Sequence, residues 1–137
     1  MLTPLLDSLA GLDDFALYFA LSLALLVLFV AVYIQVTPHR ELALIRAGNT
    51  AAAVSLSGAI LGFVLPLASA VIHAVALWDL ALWGLIALVA QILVFWAVRL
   101  LLPGISRDIQ DGKIGEALFL GAIAVATGIL NAACMTY

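Results

Sequence analysis

Gln91, Asn131, Arg99 and Glu116 are the side chains best placed to do chemistry, because each interrupts a long apolar run. An amide or ionisable group in hydrocarbon needs a partner, so such residues line polar paths, pair with one another or hold helices together. Pro66 interrupts another run: it lacks an amide hydrogen and frees the carbonyl of Gly62, four residues back. The offset that carries Asp14 onto Asp79 also carries Pro66 onto Asn131. The sequence therefore suggests either a polar path or a set of structural hydrogen bonds near Ser57, Gly62, Pro66, Gln91 and Asn131, with Asn131 serving the backbone group that Pro66 frees. Arg99 and Glu116 lie at similar depth from one end of their runs, which makes them a candidate ion pair.

Other reactive types are few and far apart. His39 and His73 are expected on opposite sides of a membrane and cannot share a metal. His73, near Asp79, reads either as a pH-responsive group or as an interfacial residue. Cys134 is the single cysteine, so no intramolecular disulfide can form, and it reads as a small packed side chain. There is no HExxH, no CxxC, no glycine-rich phosphate loop and no nucleophile beside a histidine and an acid. No catalytic, cofactor-binding or metal site is expected, and the chain does not read as an enzyme.

What must position these residues follows from composition. Of the residues 67% are hydrophobic and 9% charged, against about 25% charged in a soluble domain. A soluble fold this small could not hide that load. A spanning helix needs about 20 apolar residues, and residues 15–36, 50–77, 80–102 and 117–135 each supply them. None alternates as a membrane strand would. The expected fold is all-α: four transmembrane helices in a single domain over residues 1–137. The N-terminus lacks the basic region of a cleaved signal and carries Asp7, Asp13 and Asp14 instead. All basic residues (Arg40, Arg46, Arg99, Arg107, Lys113) lie in or beside the first and third loops. By the positive-inside rule those loops are cytoplasmic and both termini periplasmic, in a bacterial inner membrane. No basic tract points to nucleic acid or to an anionic-lipid patch.

The constant offset aligns Asp14 and Tyr18 with Asp79 and Trp83, Pro38 with Pro103, Ala52 with Ala117, and Leu65 with Leu130. This reads as a tandem, parallel repeat of a helical hairpin, residues 14–73 and 79–136, related by an axis along the membrane normal. Within each hairpin the first span is bulky and the second rich in Gly, Ala and Ser. Ser55, Gly58 and Gly62 in one, and Gly121 and Gly128 in the other, mark faces where backbones can approach closely. The second and fourth spans are thus expected at the centre, the first and third at the periphery. Thr37-Pro38 reads as the start of a short interfacial helix ending at Gly48, with a more polar counterpart over residues 103–112. Leucines in residues 2–12 suggest a further interfacial helix. Asn49 reads as a turn residue.

The run Thr37-Pro-His-Arg-Glu41, the segment 46–53, Ser57-Gly-Ala-Ile-Leu-Gly62 continuing to Leu67, and Gly128-Ile-Leu-Asn131 continuing to Thr136 resemble the YjfL-like family, domain of unknown function 350. The resemblance implies a four-span bacterial inner-membrane protein, a genomic setting near membrane-stress and glutathionylspermidine-synthase-like genes, and no known catalytic residues. The combined reading is a homo-oligomeric (dimeric) structural or membrane-stress-linked component. Its partners are the lipid bilayer and proteins docking on cytoplasmic loops 38–48 and 103–113, with no nucleic acid. The alternative is a small homo-oligomeric ion channel or transporter with a polar path near Pro66 and Asn131.

Overall fold

The computed structural model describes residues 2–135; Thr136, where the second repeat was expected to end, lies outside them. The described residues form α1 (Leu2–Ala10), α2 (Leu12–Val36), α3 (Glu41–Arg46), α4 (Thr50–His73), α5 (Leu77–Leu101), α6 (Ile105–Gln110) and α7 (Ile114–Cys134), with no strand. Four helices are long and apolar enough to cross a membrane. One of them is α1 and α2 together, because Gly11 keeps right-handed helical angles (φ −79°, ψ −8°) and does not break the chain. The separate N-terminal interfacial helix is instead a continuation of the first span.

Boundaries follow local capping. Ala74 and Ala76 are extended, and the Val75 amide donates to the Asp79 carboxylate at 3.1 Å, so α5 starts at Leu77 rather than at residue 80. Thr37 does not open α3. Its hydroxyl donates back to the carbonyls of Tyr33 (3.1 Å) and Ile34 (3.2 Å), closing α2, and α3 begins only at Glu41. Gly48 and Gly112 take positive φ (89° and 84°) at the ends of the α3 and α6 turns. This left-handed conformation is one that glycine adopts without steric cost.

Helix α4 is the hub, packing on α7, α5, α2 and α3. Its contact with α7 is the most extensive in the molecule. A Cβ on Gly58 would strike the Gly121 backbone, and a Cβ on Gly128 would strike that of Gly62. Ser69 meets Ala132 further along, so α4 and α7 run parallel. Close backbone approach lets many weak dispersion contacts accumulate where no hydrophobic effect operates. A second cluster joins α2, α4 and α5: the Phe29 and Phe63 rings stack at 4.5 Å, and Tyr33 meets Phe95 edge-on at 5.8 Å. Such pairs contribute about 0.5–1.5 kcal/mol each beyond area burial. These aromatics draw α5 inward, so α5 is more buried than α7. Only α2 is peripheral, with Leu25, Phe29 and Tyr33 its buried residues.

The two halves share an element order: long helix, short helix, long helix. Both α2 and α5 have 25 residues. The step from Gly48 to Gly112, however, is one residue shorter than the step from Pro38 to Pro103. Beyond that turn the position matching Pro66 is therefore Leu130, and the Pro66–Asn131 correspondence does not hold.

Candidate functional site

Polar groups collect in two places. The first is the middle of the bundle, where Gln91 on α5 is buried and its amide donates to the Ala124 carbonyl on α7 at 3.0 Å. That bond is possible because Gly62 leaves room: a Cβ there would lie 2.9 Å from the Gln91 amide nitrogen. Gly62 and Pro66 are buried on α4. The carbonyl that Pro66 frees is covered by Gly128 of α7, not by Asn131. Asn131 is half-buried, and its amide nitrogen finds no acceptor. Ser57 is exposed on the outer face and lines a shallow cavity of about 650 Å³ between α4 and α7 with Ala53, Leu61, Ala122 and Val125. Gly62, Pro66 and Gln91 therefore share the interior, while Ser57 faces away from them. Ser55, buried nearby, donates to the Ala52 carbonyl of its own helix.

The second place is the end of the bundle that carries α3 and α6. There Tyr33, Thr37, His39 and Glu41 are all buried. His39 Nε2 lies 3.2 Å from Glu41 Oε1, yet neither residue makes an aligned hydrogen bond. Glu41 is also close enough to act electrostatically on the Tyr33 hydroxyl. His39 turns inward because α3 starts only at Glu41, and the strap 37–40 before it buries Thr37 and His39 against the bundle end. The available signal was that Glu41 shares a helical face with Leu44 and Ile45, both half-buried. Asn49 does more than turn the chain. Its oxygen accepts from the Ala52 amide at 3.0 Å and caps α4, while its nitrogen donates to the carbonyls of Ile109 (2.9 Å) and Gln110 (3.2 Å) at the end of α6.

Arg99 and Glu116 do not pair. The ion pairs among the described residues are His39–Glu41 and Lys113–Asp108, the latter at 3.3 Å. Glu116 is engaged by Asp108, whose carboxyl is held below the ordinary range by hydrogen bonding to Glu116 and by the Lys113 ammonium. Equal depth does not fix the direction a side chain takes around its helix, and Arg99 points outward. At the opposite end His73 contacts the Ser69 carbonyl at 2.9 Å, and Cys134 is exposed, not packed. No three His, Cys, Asp or Glu side chains converge among the described residues.

Comparison with known proteins gives the setting. The family described as Domain of Unknown Function (DUF350) matches residues 5–135. The chain is 46% identical over 133 residues to the UPF0719 inner membrane protein YjfL of Escherichia coli K12, covering 97% of this chain and 98% of that protein. The protein of the same description from Escherichia coli O157:H7 matches equally. No solved structure matches. With nearly its full length matched, this four-helix chain belongs to the DUF350 family.

Proposed function

We propose that this chain is a structural, homo-oligomeric component of a bacterial inner membrane that conducts nothing through a single bundle. The observation that carries the reading is the backbone-to-backbone apposition of Gly58 with Gly121 and of Gly62 with Gly128. It leaves no space for a hydrated path between the two small-residue helices, and the mid-membrane amide of Gln91 is spent on Ala124. Orientation follows the basic loops: α3 and α6 face the cytoplasm, where they are open to protein partners, and both termini face the periplasm. The cavity along α4 and α7, lined by Ser57 and Ala122, is the seat for a second copy.

The test is solute and ion flux in proteoliposomes. Flux at the level of empty vesicles supports the structural reading. Flux that Asn131→Leu abolishes overturns it in favour of a channel or transporter assembled from several copies. Orientation is read from cysteine labelling by an impermeant maleimide. Native Cys134 should react from outside in intact cells, and Arg46→Cys in a Cys134→Ser chain only after permeabilisation. The reverse pattern inverts the topology.

A further inference from the structure

Arg99 lacks any carboxylate partner among the described residues, although it sits within the last turn of α5. Three acids at this end of the bundle are engaged elsewhere: Glu41 faces His39, and Asp108 and Glu116 engage each other beside Lys113. One turn earlier Trp96 is 48% exposed, and among the described residues its indole donates no hydrogen bond. Arg99, Trp96, Leu100 and Pro103 line a cavity of about 450 Å³ open to the outside of the bundle. Leu93, Leu100 and Leu101 around it are exposed apolar surface of the kind that faces acyl chains.

The chemistry of this cavity is one-sided. The guanidinium offers five N–H donors and is always charged, the indole offers one more, and neither accepts. Arg99 lies two residues from the helix end, about 3 Å along the axis, and Trp96 about 4.5 Å deeper. That is the level at which arginine reaches toward headgroups and tryptophan lies in the interfacial belt. A donor-only site with apolar walls fits an anion carrying acyl chains. An ethanolamine headgroup would add an ammonium that itself needs an acceptor, and no acidic side chain lines the cavity.

We propose that Arg99 and Trp96 form a binding site for the phosphodiester of an anionic phospholipid lacking a cationic headgroup, phosphatidylglycerol being the simplest case. The guanidinium grips the phosphate oxygens in a two-pronged contact, the indole N–H donates to a phosphate or ester oxygen, and one acyl chain lies along Leu100 and Leu93. The site consists of one helical turn rather than a basic tract.

The experiment uses the full chain with Trp78→Phe and Trp83→Phe, leaving Trp96 as the sole indole, reconstituted in phosphatidylethanolamine–phosphatidylglycerol vesicles. Either lipid is supplied with dibrominated chains at equal mole fraction. Brominated phosphatidylglycerol should quench Trp96 as if enriched about fivefold over brominated phosphatidylethanolamine, the equivalent of the roughly 1 kcal/mol that one basic residue gains at an anionic surface. Arg99→Gln should remove the preference, and Arg99→Lys should keep part of it. Equal quenching by the two lipids overturns the proposal. So does a preference that survives Arg99→Gln, because Arg40, Arg46 or Arg107 would then be its source. A second readout needs no substitution. Native mass spectrometry of the unaltered chain should retain phosphatidylglycerol over phosphatidylethanolamine, and equal retention refutes the site.

Discussion

His39 and Glu41 face each other at 3.2 Å with 1% of either side chain exposed, and no other group among the described residues hydrogen-bonds to their polar atoms. Removing one member strands the other in a low-dielectric setting, which costs about 3–5 kcal/mol, whereas replacing both with apolar groups of similar volume is often nearly neutral. Glu41→Ala should therefore lower the melting temperature in detergent more than the double substitution His39→Phe/Glu41→Leu does. A double variant less stable than the single one would mean that the pair contributes net stability.

The glycines of α4, α5 and α7 are not equivalent. A Cβ at Gly58 meets backbone, which cannot give way, while a Cβ at Gly84 meets only the Leu25 side chain at 2.7 Å, which can rotate. Gly115 has nothing within 4 Å. Gly58→Ala should cost about 1–3 kcal/mol through forced separation of α4 and α7. Gly84→Ala should cost less, and Gly115→Ala should be neutral or stabilising by up to about 1 kcal/mol from helix propensity. Equilibrium unfolding of the three variants in mixed detergent checks the order, and equal losses would show that backbone contact is not what matters.

How far the sequence reaches is visible in these same residues. The membrane-spanning segments and the small-residue stripes were legible because hydropathy and side-chain size act locally and repeat at helical spacing. Whether Arg99 meets Glu116 was not, because that depends on how each helix is rotated about its axis. Thr37 could cap a following helix or close a preceding one, and only the path of the strap decides between them. The burial of His39 was hidden because residues 37–48 read as one interfacial helix, whereas residues 37–40 form a separate strap before α3. The connection from α5 to α7 is one residue shorter than that from α2 to α4, which shifts the register by one and makes Leu130, not Asn131, the residue corresponding to Pro66.

Asp108 sets a pH signature. Its carboxyl is depressed, first by hydrogen bonding to Glu116 and then by Lys113, so its contribution is present above the unfolded value of about 3.9 and is lost as pH falls through the lower folded value. The Lys113 contact should thus keep the α6–α7 turn protected down past the ordinary aspartate range, with the Glu116 bond adding to it only where Glu116 holds the proton it donates. Glu116→Leu or Lys113→Met should move the loss to higher pH, while Glu116→Gln, which retains a donor, should change little. Amide exchange at residues 111–113, corrected for intrinsic rates, reads this. Loss at the same pH in all three variants would dissociate Asp108 from the turn.

Asn49 joins two jobs that substitution can separate. Its oxygen caps α4 at the Ala52 amide, and its nitrogen holds the Ile109 and Gln110 carbonyls of α6. Serine can still cap a helix N-terminus but carries no amide to reach α6, whereas alanine does neither. Losing the cap costs about 0.5–2 kcal/mol, and losing the tie adds about 0.5–1.5 kcal/mol. Asn49→Ser should therefore be of intermediate stability, with faster amide exchange confined to residues 111–113. Asn49→Ala should also loosen the first turn of α4. If exchange near α6 is unchanged in Asn49→Ser, the two loops are held together by Ile105 and Ile109 packing alone, and the bridging role of Asn49 is lost.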